Sequence, residues 1–89
     1  MPEISRFFGI IIYMYYRDIG KHYKPHIQAK YGEYEIVLSL DGEILEGTMP
    51  KRQLSLVGAW ITLHEEELYK MWIKAVRQEN LDKIEPLKG

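Results

Sequence analysis

Eighty-nine residues, 46% of them hydrophobic and 28% charged, with a formal net charge of −1, suffice for one small domain and not for two. The absence of cysteine excludes disulfides, thiolate zinc sites and a cysteine nucleophile, and it fits a reducing cytoplasm. A pI near 6.3 argues against a general binder of polyanions and leaves only local basic patches open.

The longest apolar run, FFGIIIYMYY over residues 7–16, has half the length that a membrane-spanning helix needs. Arg6 precedes it, as a basic residue precedes the apolar stretch of a secretory signal, but no small-residue cleavage site follows. Isoleucines and tyrosines suit a buried strand, so the run is read as a central first strand of a soluble protein. The polar segment RDIGKHYKP then forms a connecting loop. In His26–Tyr31, His26, Gln28 and Lys30 alternate with Ile27, Ala29 and Tyr31, the period of a strand with one polar face.

Gly32-Glu33 makes a two-residue turn into a third strand over residues 34–40. Asp41-Gly42 between alternating runs predicts a type I′ hairpin turn, followed by a fourth strand over residues 43–46 that ends at Gly47. From Pro50 to about Gln78 the period becomes helical, with Pro50 in the first turn and Thr48 as the best available cap. Leu54, Val57, Trp60, Ile61, His64, Leu68, Met71, Trp72 and Ala75 fall within an arc of roughly 120°. Arg52, Glu66, Glu67, Lys70, Lys74 and Arg77 occupy the opposite face. The tail over residues 80–86 is expected to add a short edge strand. Residues 1–89 thus read as a single α+β domain: an antiparallel meander of about four strands followed by one long amphipathic helix.

The residues that bear chemistry gather around Lys21-His22-Tyr23-Lys24-Pro25-His26-Ile27-Gln28. Arg17, Lys21, Lys24 and Lys30 face a single acid there, Asp18, whereas the later strands are acidic. Two imidazoles beside lysines can hold an anion or move a proton near neutral pH. The plainer reading is two partly exposed histidines on a basic loop. A metal site is disfavoured: Pro25 denies His22 and His26 a shared helix, and no carboxylate stands at ligand spacing. No cofactor is implied either, since there is no phosphate-cradling glycine loop and no nucleophile elbow. His64 lies inside the apolar arc, either as a core-edge histidine bonded to strand backbone or as a group reaching toward His22 and His26. Trp60 and Trp72 read as core anchors.

The segments MPEISRFFGIIIYMYY, KHYKPHIQAKYGEYE and GEILEGTMPKR, the W-x-x-x-H-x-x-E-L-x-x-x-W pattern of Trp60–Trp72, and KIEPL together resemble a small prokaryotic family, the domain of unknown function numbered 4160. The resemblance runs nearly end to end. Members typically carry His-x-Pro-Pro-His-x-His where this chain has His22, Lys24, Pro25, His26 and Gln28, so a lysine replaces one proline and a glutamine the third histidine. The resemblance implies no established activity. It does imply a neighbour-encoded small partner, of the unknown-function family numbered 2442, in a pair resembling a toxin–antitoxin module.

Two functions follow as expectations. One is a protein-interaction component of such a two-gene module, cytoplasmic, with no membrane partner and with room for homo-oligomerisation. The other is a metal-independent, RNase-like phosphodiesterase acting on RNA. In it His22 and His26 serve as acid and base, Lys21 or Lys24 steadies phosphate charge, Arg6 or Arg17 assists, and Gln28 or His64 completes the site.

Overall fold

The structure, a computed structural model, describes residues 3–15 and 24–88. Five strands and two helices follow one another: β1 Glu3–Phe7, β2 Ile10–Tyr13, β3 His26–Tyr31, β4 Tyr34–Ser39, β5 Ile44–Thr48, α1 Lys51–Leu63 and α2 Glu65–Val76. The strands form one antiparallel sheet in the order β1-β2-β3-β4-β5, a five-strand meander where about four strands were expected.

The additional strand arises because the apolar run over residues 7–16 is not one strand. Phe7 pairs with Ile10, and Phe8 and Gly9 turn the chain between them with φ of 49° and 78°. Positive φ at both central residues is the signature of a type I′ turn, whose twist matches that of the flanking strands. The expected type I′ turn at Asp41-Gly42 takes a different form. Gly42 donates to the Ser39 carbonyl (3.0 Å), Ser39 donates to the Glu43 carbonyl (2.8 Å), and among the loop residues only Gly42 has positive φ. That is a three-residue loop, a tight turn followed by a left-handed glycine, and it starts β5 one residue later than expected. Gly47 does not end this strand but lies within it, opposite Ile36.

One long helix was expected, and two are found. His64 (φ −116°, ψ 23°) separates them, its N–H shared between the carbonyls of Trp60 (3.1 Å) and Ile61 (3.3 Å). Glu65, Glu66 and Glu67 then fill the first turn of α2, where acids complement the helix dipole. Pro50 is the residue before α1 rather than in its first turn, with ψ 145°, and it makes no side-chain cap. Thr48 does not cap because it is spent in the sheet, paired with Glu35. At the far end Gln78 is left-handed (φ 59°), and the N–H groups of Gln78 and Glu79 close onto the carbonyls of Ala75 (3.0 Å) and Lys74 (2.9 Å). These two bonds form a Schellman ending.

All nine residues of the expected apolar arc are buried or half-buried. Val57, Trp60, Ile61, Leu68, Met71 and Ala75 join Ile4, Ile10, Ile12, Ile27, Ala29, Ile36 and Leu38 of the sheet in one core. The expected edge strand at the C-terminus does not form. Residues 79–88 carry no regular structure, and their ladder to β1 is a single bond, from the Ile84 N–H to the Ile4 carbonyl (2.7 Å). Pro86 has no donor to extend it. The tail instead seals the core, with Ile84 buried and the Trp60 indole N–H donating to the Glu85 carbonyl (2.9 Å).

Candidate functional site

Of the residues singled out for chemistry, Arg17, Lys21 and His22 lie outside the described residues, together with most of the loop that bears them. His26 opens β3 and is fully buried. Its alternation with Gln28 and Lys30 had placed it on a polar face, and only Lys30 is exposed there. The His26 ring instead turns back so that Nδ1 lies 2.8 Å from the Lys24 carbonyl oxygen, and it packs against Trp72 of α2 with ring centroids 5.0 Å apart. Gln28 is half-buried between Tyr13 of β2 and Val37 of β4 in the register.

Lys24 is engaged with acids. Its ammonium donates to Glu43 Oε1 (2.6 Å) and Asp41 Oδ2 (3.3 Å), which together raise its pKa. The Ser39 hydroxyl also donates to Asp41, and this bond, ahead of Lys24, holds the aspartate below the usual carboxylate value. Arg6 is likewise occupied. Its guanidinium grips Glu3 through Nε (3.2 Å) and Nη2 (2.9 Å), which raises the arginine and lowers the glutamate. His64 sits half-buried at the helix break, 5.5 Å from the Trp60 ring, with Nδ1 3.3 Å from Glu67 Oε1. His26 thus meets Lys24 and Trp72, and His64 meets Trp60 and Glu67. Among the described residues no group of three or more histidine, aspartate or glutamate side chains is placed to hold a metal. Among the described residues no helix is long and apolar enough to cross a membrane.

One surface escaped the reading of the sequence. Tyr69, Ile73 and Val76 of α2 are 40%, 52% and 41% exposed, and with half-buried Trp72 they stand at i, i+3, i+4 and i+7. Residues so spaced share one face of a helix. This stripe is adjacent to the core arc rather than part of it, with Trp72 belonging to both. The signal was present as the apolar triplet at i, i+4 and i+7, but a single arc and a charged back face left it no place. Glu65 and Glu66 stand exposed at one end of the helix and Arg77 at the other, none with an ion-pair partner among the described residues.

The fold defines a small α+β domain, a five-strand antiparallel meander covered by a broken helix whose second half presents an apolar stripe. The chain belongs to the family described as Domain of unknown function (DUF4160), which it matches over residues 9–73. No curated protein and no solved structure gives a significant match to it.

Proposed function

We propose that this domain is a protein-interaction component of a two-gene, toxin–antitoxin-like module, and that α2 is the element that meets the partner. The observation that carries this reading is the exposed Tyr69–Trp72–Ile73–Val76 stripe. Contiguous apolar side chains on a surface otherwise rich in charge are the usual mark of a docking face, and this spacing suits a helix laid into a groove. The occupant is the small protein encoded by the neighbouring gene, through an apolar groove bordered by charges that answer Glu65 and Glu66 at one end and Arg77 at the other.

The arrangement of the described residues supports this reading over the hydrolytic one. His26 has no solvent-exposed surface, Lys24 and Arg6 are spent on carboxylates, and His64 faces Glu67. A general acid or base has to reach the proton it moves, and a phosphate clamp needs an uncommitted cation.

The test is to mix the purified domain with its neighbour's product at micromolar concentration. The expected result is one complex on size exclusion, with an interface of about 1,000 Å² or more. Separate elution of two folded proteins overturns the reading.

A further inference from the structure

Phe8 occupies the first central position of the β1–β2 turn with φ 49°. Left-handed backbone is the province of glycine, asparagine and aspartate, and a bulky aromatic residue there is an outlier that costs free energy. Burial does not offset that cost, because the Phe8 side chain remains 49% exposed. Such departures from local preference cluster where a side chain is kept for what it meets outside the fold.

What surrounds Phe8 is chemically specific. Phe8, Tyr31, Arg52, Gln53 and Leu56 line one surface depression of about 580 Å³. The Tyr31 ring lies over Gly9, 3.2 Å from where a Cβ on that residue would stand. Lys51 and Arg52 are exposed in the first turn of α1, and neither has an ion-pair partner among the described residues. Among the described residues no acidic side chain lines the depression. Two aromatic rings and a leucine suit a flat π system, a guanidinium suits an anion attached to it, and a side-chain amide suits a polar edge.

We propose that this cup binds an unpaired nucleotide of a single-stranded nucleic acid. The base stacks on Phe8 and Tyr31, Arg52 meets the adjoining phosphate, and Gln53 bonds the base edge. Stacking supplies most of the affinity, which agrees with a chain of net charge −1 that cannot attract polyanions at large. The site lies apart from the α2 stripe and stands independently of it.

Fluorescence anisotropy with labelled ten-nucleotide oligouridylate and oligoadenylate tests the proposal. The expected result is saturable binding with a shallow salt dependence, one or two phosphates' worth. Phe8→Asn weakens it tenfold or more while leaving the melting temperature unchanged or higher, since asparagine accepts the left-handed turn. Arg52→Ala, on α1 rather than in the turn, weakens binding and flattens the salt dependence. No binding at millimolar oligonucleotide overturns the proposal, as does a Phe8→Asn affinity within twofold of wild type. Free mononucleotide binding as tightly as the strand overturns it too, and so does a Phe8→Asn defect confined to a protein partner.

Discussion

His26 and Trp72 pack ring against ring with centroids 5.0 Å apart, which ties the first residue of β3 to the second helix across 46 residues of chain. Because the His26 side chain is also fully buried, its removal opens a cavity rather than disarming an exposed site. His26→Ala is therefore expected to lower stability by about 2–4 kcal/mol, read from chemical denaturation. An unchanged denaturation midpoint contradicts this packing role.

Gly47 is a position that tolerates no side chain. Its φ is 87°, and a Cβ there would stand 2.2 Å from the Glu35 carbonyl oxygen of the neighbouring strand. Neither atom is the end of a flexible chain, so the strand pair itself has to move. Gly47→Ala is expected to cost about 3 kcal/mol or more. Gly32→Ala, at positive φ but with open space around it, is the milder comparison. Equal melting temperatures for the two variants contradict the register placed on β4 and β5.

The β4–β5 turn carries a pH-sensitive contact. Asp41 is held below its ordinary value of 3.8, first by the Ser39 hydroxyl and then by Lys24. A carboxylate with a depressed folded pKa contributes stability that is complete above its unfolded pKa and lost as pH falls through the folded one. Lys24 is raised above 10.5, mainly by Glu43 and then by Asp41, so its share is present below that value and lost as pH rises through the folded pKa. Asp41→Asn is expected to lower the melting temperature at pH 7 and to converge with wild type as the pH falls below the ordinary value of 3.8 and through the lowered folded one. A difference that stays constant over that range contradicts the assignment.

The C-terminal tail shields Trp60 through the indole bond to the Glu85 carbonyl and through buried Ile84. Truncation after Asn80 removes both, leaves the indole N–H to water and uncovers the Ile4 edge of β1. The expected outcome is a red-shifted tryptophan emission and a lower melting temperature. An emission spectrum identical to wild type contradicts the sealing role.

Strand β3 was legible to the residue because its alternation is strict and its bounding turn signals are clear, and the buried arc of the helices was legible because its period is regular. The turn at Phe8-Gly9 was hidden because a phenylalanine stands where asparagine or glycine normally advertises a type I′ turn. The break at His64 had a readable trace, three glutamates in succession that favour a helix start, but a periodic pattern running across it masked the interruption. His26 was misplaced because alternation assigns a face, whereas a strand's first residue can turn its ring back onto preceding backbone. Lys24 had looked available as a cation, and only the β4–β5 turn, folding Asp41 and Glu43 beside it, takes that charge up.

The central claim, that the exposed stripe of α2 meets a protein partner, is tested most directly by titration calorimetry with the proposed partner, the product of a neighbouring gene. Ile73→Glu changes the middle of the stripe, while Leu63→Glu makes the same change at a residue that is 68% exposed beyond the helix break and outside the stripe. The account predicts that Ile73→Glu weakens binding by tenfold or more, about 1.4 kcal/mol, with Leu63→Glu close to wild type. Equal affinities for the two variants, both folded, contradict it.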